Sequence, residues 1–274
     1  MKILHLGRQT HGDHSYYTRW EEIGKVHRDL DQAIDASVLV VDHHIQVTDS
    51  LLNSLPNLKW ICSPNTCTDH INITRPVQIL SLEGESEFLQ NIRSVSEFTM
   101  SLILSLSRHL DRPGSLLNGK TIGIVGLGRI GQQVLRLAKA FGMHPMAVDI
   151  NSSHKDWRLL FTESDVVTIH LPLNKDTIGL VDENSIDLMK NSALLINTAR
   201  GKVLDEHYAI ERLWEGALGG IATDVLSVTP KYKPDNLLVT EHIAGNTLED
   251  RVRTDKFILG KLKSRIRSDD DVVH

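Results

Sequence analysis

One stretch, residues 120–149 (KTIGIVGLGRIGQQVLRLAKAFGMHPMAVD), constrains the fold more than any other. Thr121 to Val125 is a short apolar, β-branched run of the kind that forms a buried strand. Gly126-Leu127-Gly128-Arg129-Ile130-Gly131 follows, a G-x-G-x-x-G opening a helical pattern that carries Val134, Leu135, Leu137, Ala138 and Phe141. Gly142 ends that pattern, and 145–148 begins a second strand with Asp149 at its tip. One glycine makes a tight turn, one lets backbone N–H groups approach a pyrophosphate, and one lets helix and strand pack closely. Asp149 stands eighteen residues after Gly131, where an acid accepts hydrogen bonds from an adenosine ribose. Strand, glycines, helix, strand and acid in this register predict a unit that binds NAD-type dinucleotides.

The rest of the chain extends this pattern. Residues 1–92 read as a small α/β unit, with candidate strands at 3–6, 38–41, 59–62 and 78–80 and helical patterns near 29–34 and 49–55. These strands are short and mostly apolar, as parallel strands covered on both faces are. Residues 94–109 (SVSEFTMSLILSLSRH) predict a long helix with Ser94 and Glu97 as a capping box. Its expected buried face is Val95, Phe98, Leu102, Ile103, Leu106 and Leu110. After Asp149, strands at 165–170, 193–197, 221–225 and 237–240 alternate with helices at 183–190 and 206–216. Such alternation predicts a doubly wound parallel sheet, whose ligands lie outside the carboxyl ends of the strands. His170, residues 198–201, Asp224 and His242 each follow an apolar strand, which puts them on the rim that carries the glycine turn.

Composition narrows the classes. A chain of 274 residues holds one large or two modest domains, and a net charge of −5 gives no reason to expect nucleic acid. The basic stretch 251–267 has the spacing of a solvated face on a last helix. Cys62 and Cys67 are too few for a disulfide framework, which predicts a reducing cytosol. No apolar run is long enough to span a membrane, and MKILHLGRQ reads as a strand rather than a signal peptide. Two histidine-rich spots, His11 with His14 and Asp42-His43-His44, invite a metal. The second resembles the DHH signature of a family of metal-dependent phosphoesterases, but the further aspartate motifs of that family do not assemble. The expectation is solvated polar residues at a strand end, with no metal site.

Several separate segments together resemble the D-isomer-specific 2-hydroxyacid dehydrogenases, which include phosphoglycerate dehydrogenase. They are GLGRIGQQVLRLAKAFGM, SDVVTIHLPLNKDTIGLVDENSIDLMKNSALLINTARG, the ending HIAGNT with its amphipathic helix, SPNTCTDHIN, and the helix SVSEFTMSLILSLSR. The resemblance implies a Rossmann NAD-binding domain over 93–245, entered through the crossing helix 94–109. It also implies a smaller flavodoxin-like substrate domain over 1–92, completed by a helix at 246–267. It implies that Arg200 holds the substrate carboxylate and carbonyl, for which a planar, permanently charged fork is suited. His242 is implied as general acid/base, since an imidazole exchanges protons near neutrality. Gly126, Gly128, Arg129, Ile130 and Gly131 are expected at the pyrophosphate, Asp149 at the ribose, and Asp224 at the nicotinamide amide. His170, Pro172 and Thr177 are expected as the wall beside the cofactor, with Thr198 and Ala199 near it. Backbone amides over Asn65, Thr66, Cys67 and Thr68 are expected to meet the substrate carboxylate. An acid at 149 favours NAD over NADP, because it repels a 2′-phosphate. A homodimer is implied by the resemblance alone.

The chain also departs from the family. The catalytic glutamate that precedes a proline after the DV pair is replaced by Thr229, before Pro230. A carboxylate raises a histidine's pKa and fixes its tautomer, whereas a threonine can only orient the ring. The expected consequence is a lower pH optimum for carbonyl reduction or slower turnover. Glu241 stands where the family has proline before the histidine, but adjacent side chains on extended backbone point apart, which argues against it as a substitute. Cys67 stands where glycine is common, a strained exchange if that position needs a positive φ. The segment between Asp149 and Trp157 is shorter than in many relatives. Two readings remain open: an active NAD-dependent dehydrogenase of a small 2-hydroxyacid or 2-ketoacid, and an NAD(H)-binding regulator or scaffold with weak or no activity.

Overall fold

The computed structural model describes residues 1–7, 19–108 and 113–271. The chain divides into two compact units, residues 1–92 with 247–274, and residues 93–246. His11, His14 and Leu110 lie outside the described residues.

In the first unit, β1 (Lys2–Leu6), β2 (Lys25–His27), β3 (Val38–Val41), β5 (Trp60–Cys62) and β7 (Gln78–Leu80) form a sheet in the order β2-β1-β3-β5-β7. Every pairing in it is parallel. Numbered along this sheet alone the order is 2-1-3-4-5, the flavodoxin-like arrangement. The short strands β4 (Val47–Thr48) and β6 (Ile71–Asn72) pair with each other outside it. Alternate residues serve opposite faces. Ile3, Val38, Val40, Trp60 and Cys62 pack with Ile258, Leu259 and Leu262 of the last helix, Leu248–Asp271, while Leu4, Leu39, Val41 and Ile61 pack with Leu52 and Leu55. Both faces are dry over the inner strands, which explains why β3 and β5 are apolar throughout, while the edge strands β2 and β7 keep Lys25 and Gln78 exposed.

In the second unit, β8 (Thr121–Val125), β9 (His144–Val148), β10 (Val166–Ile169), β11 (Leu194–Asn197), β12 (Gly220–Thr223) and β13 (Leu237–Val239) form one parallel sheet, ordered β13-β12-β11-β10-β8-β9. The strand order reverses between β8 and β10, and such a switch point opens a crevice at the carboxyl ends of the strands. Ile122, Ile124, Val134 and Ile196 fill one side, and Val125, Val167, Ile169 and Leu195 the other.

Three sequence expectations need correction. The helix Ser94–Arg108 already includes Ser94, and the Glu97 N–H donates to the Arg93 carbonyl, so the boundary lies one residue before the expected cap. Of its expected core face Leu102 and Ile103 are buried while Val95, Phe98 and Leu106 are only half-buried, and Ser94, Ser96, Thr99, Met100 and Ser107 are buried in addition. Small hydroxyl residues let the helix lie close to neighbouring elements, and their O–H groups bond back to the helix, as Ser96 does to Arg93 O and Thr99 to Val95 O (both 2.8 Å). The helix expected over 183–190 is helical only over Glu183–Ile186. A helix at His154–Glu163 was not expected, although Ser153 caps it by accepting the Asp156 N–H at 3.2 Å. Among the described residues no helix is long and apolar enough to cross a membrane.

Candidate active site

At the switch point the glycines of the turn have separate physical causes. Gly126 has φ of +96°, and a Cβ there would lie 2.7 Å from the His170 carbonyl oxygen. A Cβ on Gly131 would lie 2.0 Å from the Gly126 oxygen, so helix and turn meet only because that side chain is missing. Gly128 differs, because a Cβ there would meet nothing within 4 Å. Nothing in the chain itself demands glycine at 128. Its smallness leaves space over the start of the twelve-residue helix Arg129–Ala140, where Arg129 and Ile130 form the first turn. This is the cradle a pyrophosphate needs. Asp149, directly after β9, accepts the Leu127 N–H on Oδ2 at 3.0 Å and the Ile150 N–H on Oδ1 at 2.9 Å. These bonds tie the acid to the glycine turn and leave it half-buried.

Further along the rim, His170 follows β10, with Nε2 3.0 Å from the Thr168 hydroxyl. Burial of the ring pushes its pKa down to about 3, so this imidazole is neutral at any working pH. Thr177 donates its hydroxyl to the Pro172 carbonyl at 2.6 Å and accepts the Asn174 N–H at 2.9 Å, which closes the loop after β10. Pro172 is exposed and Thr177 buried. After β11, Thr198 pairs its hydroxyl with that of Thr99 at 3.0 Å. Asn197 accepts the Ala199 N–H and donates to the Arg200 carbonyl, both at 3.0 Å, shaping the turn that presents Arg200.

Arg200, Gly201, Asp224, Val225, Leu226, Thr240, Glu241 and His242 line a cavity of about 270 Å³. It gathers the two residues expected to react with substrate. His242 has φ of +55° and is the one non-glycine residue with positive φ among those described. That conformation costs an L-residue about 1–2 kcal/mol. Asp224, which is buried, accepts the Thr240 hydroxyl and the Ile243 N–H on Oδ1 at 2.5 and 2.9 Å, and the Ala244 N–H on Oδ2 at 2.8 Å. Thr229 is exposed and is not part of the lining. Glu241 is part of it. The expectation that Glu241 and His242 point apart assumed extended backbone, and the left-handed turn at His242 removes that premise.

Glu206 was not foreseen. It is 4% exposed, and its Oε2 accepts the Ser227 N–H at 2.9 Å and the Ser227 hydroxyl at 2.5 Å. A Cβ on Gly201 would lie 2.7 Å from its Oε1 and 2.6 Å from the Val225 oxygen. Glu206 and the bare Gly201 thus lock the turn after Arg200 against the segment after β12. The available signal was an acid at the start of a helix, just after the ARG turn.

In the first unit, residues 65–68 follow β5 and are half-buried. The Asn65 carbonyl accepts the Leu82 N–H and its side-chain amide donates to Ser63 Oγ, both at 3.0 Å. Ser63 Oγ also lies 3.3 Å from the buried His70 ring. The Thr68 carbonyl accepts the Ile71 N–H at 2.8 Å, so the Thr66–Cys67 tip is pinned from both sides. Cys67 does not have a positive φ, and its side chain meets no backbone penalty. Asp42, His43 and His44 follow β3, with the two imidazoles 3.9 Å apart and Asp42 Oδ1 accepting the His44 N–H at 3.0 Å. Among the described residues no group of three or more His, Cys, Asp or Glu side chains could hold a metal.

Residues 87–244 match the family described as "D-isomer specific 2-hydroxyacid dehydrogenase, NAD binding domain". A hydroxypyruvate reductase of Thermotoga maritima is 30% identical over 270 residues, covering 85% of this chain and 87% of that protein. A glyoxylate reductase of Thermococcus litoralis is 39% identical over 259 residues, covering 80% and 76%. The apo-structure of D-lactate dehydrogenase from Escherichia coli superposes with a TM-score of 0.82 over 98% of each chain at 22% identity, a likeness of fold.

Proposed function

The chain belongs to the D-isomer-specific 2-hydroxyacid dehydrogenases, NAD-dependent oxidoreductases, and from that premise we propose that it interconverts a small D-2-hydroxyacid and its 2-ketoacid. The observation that carries the reading is the placing of Arg200 and His242 in one cavity, on the rim that also bears the glycine cradle. The guanidinium of Arg200 holds the carboxylate and carbonyl of the acid through parallel N–H donors. His242 gives a proton to the carbonyl oxygen in reduction and takes it back in oxidation. The cofactor, when bound, supplies or accepts the hydride at C2. Gly126, Gly128, Arg129, Ile130 and Gly131 hold its pyrophosphate and Asp149 its adenosine ribose. His170, Pro172, Thr177, Thr198 and Ala199 wall its nicotinamide end. Asp149 selects NAD by repelling a 2′-phosphate. In the first unit, taken by itself, the turn over residues 65–68 offers backbone amides to a carboxylate.

Relatives named for glyoxylate and hydroxypyruvate, matched over most of their own length, make short 2-ketoacids the first candidates. A homodimer is part of this reading on family grounds, and a reducing, cytosolic setting on the two free cysteines. The test is loss of NADH absorbance with a panel of 2-ketoacids, glyoxylate, hydroxypyruvate and pyruvate among them. Turnover with at least one is expected, with NADH preferred to NADPH. Binding of NADH without oxidation by any of them would overturn the proposal in favour of a regulatory homologue.

A further inference from the structure

We infer that Asp224 is the positioning residue of this site, a clamp that holds His242 in its left-handed conformation. The inference rests on the reading of His242 as acid/base. Its three donors bracket that histidine in sequence, with the Thr240 hydroxyl before it and the Ile243 and Ala244 N–H groups after it. Asp224 is itself fixed, because its N–H donates to the Asn197 carbonyl at 3.0 Å, and it is 1% exposed. Thr240 is fixed too, since its N–H donates to the Thr223 carbonyl at 3.0 Å, which leaves the hydroxyl free for the clamp. The segment from 240 to 244 is thereby tied to the sheet on both sides of a residue whose backbone would otherwise relax to negative φ.

Only a carboxylate suits this arrangement. Both oxygens accept, and an asparagine would turn an NH₂ group toward one of the donors. The family resemblance instead gives Asp224 a contact with the nicotinamide amide, and the two roles predict different failures. A cofactor ligand, when lost, weakens NADH. A clamp, when lost, leaves NADH in place and spoils the proton donor, because catalysis is sensitive to small misplacement of a reacting group.

The experiment compares Asp224→Asn and Thr240→Val with the parent protein. It reads the NADH dissociation constant by fluorescence, kcat at saturating 2-ketoacid, and amide hydrogen exchange at Ile243 and Ala244. For Asp224→Asn, loss of a hydrogen bond to a charged acceptor should lower kcat on the order of 10- to 100-fold, with NADH affinity held within about twofold. Thr240→Val removes one neutral donor and should cost kcat about two- to tenfold. Exchange at Ile243 and Ala244 should be slow in the parent and faster in both variants. Weakened NADH binding with kcat preserved would overturn the inference, as would unprotected Ile243 and Ala244 amides in the parent. If Asp224→Asn does not fold, Thr240→Val decides by the same readouts. If the parent oxidises NADH with no acid, the functional reading fails, and the exchange rates alone decide the clamp.

Discussion

Asp149 and Asp224 each follow a strand of the same parallel sheet, and the protein uses them in opposite ways. Asp149 is half-buried, and its carboxylate accepts the N–H groups of Leu127 and Ile150, in the glycine turn and next in the chain. Asp224 is buried, and its oxygens are occupied by donors from residues 240, 243 and 244. A place on the rim therefore does not assign an acid its job; the donors around it do. The cofactor end is built by omission, from glycines whose missing side chains make room. Where we propose that the substrate reacts, the rim is built by constraint, with a carboxylate bonded on both sides of a left-handed residue.

The largest expected effect separates the two ends. His242→Ala should lower kcat by about 10²- to 10⁴-fold, the usual worth of a general acid, while NADH affinity stays within about twofold. Stopped-flow binding with steady-state rates measures both, and a parallel loss of NADH affinity would erase the distinction. Asp149→Ala is the converse. Losing a charged acceptor should weaken NADH by roughly 10- to 100-fold and narrow its advantage over NADPH, with kcat at saturation nearly kept. Titration of the variant with both cofactors decides this.

Between the two ends sits His170, whose burial gives a prediction of intermediate size. Its pKa in the folded protein is about 3, against an ordinary value near 6.5. Above pH 6.5 both states leave the ring neutral and stability does not depend on it. Below that pH the unfolded chain takes up a proton that the folded unit refuses, so stability falls as pH falls, down toward pH 3. From pH 6.5 to pH 5 the loss is about 2 kcal/mol. His170→Gln should flatten this slope in urea denaturation at the two pH values. An unchanged slope would mean that the ring is not protected and that the middle of the rim could itself handle protons. His5 in the first unit, held near pKa 4 by burial with Asp42 opposing, produces the same sign of slope there.

The sequence discloses these regions unequally, for reasons of range. The glycine turn and Asp149 are legible because each requirement is local, a φ, a helix start or a strand tip within thirty residues. The parallel sheets are legible because strands buried on both faces are apolar throughout. The Asp224 clamp is not, since it depends on the register that pairs Thr223 with Val239 and so sets Asp224 beside Thr240. The left-handed turn at His242 has no sequence mark either, because the side chain there is not a glycine. The Ser and Thr residues buried in Ser94–Arg108 mislead for a different reason: periodicity counts apolar side chains, whereas close helix packing selects small ones. The helix His154–Glu163 could have been found from its Ser-x-x-Asp cap alone.

The smallest expected effect tests which acid serves His242. Thr229 stands where the resemblance implies the family's glutamate; it and Glu241 are both exposed, but only Glu241 lies on the lining of the cavity, beside His242. Placing an acid there by Thr229→Glu should therefore change kcat for reduction by no more than about twofold, because an exposed charge away from the cavity lining contributes about 0.4 kcal/mol or less. Glu241→Gln should do more, lowering kcat by up to about fivefold at neutral pH, the upper end for an exposed pair. The sign follows from charge: a nearby carboxylate favours the imidazolium, so its removal moves the pH limit for carbonyl reduction downward. A pH–rate profile of both variants settles the ranking. If Thr229→Glu proves the stronger of the two, then the loop after Asp224 reaches the histidine during turnover. The reacting end would then be set by a movement of that loop, not by the clamp alone.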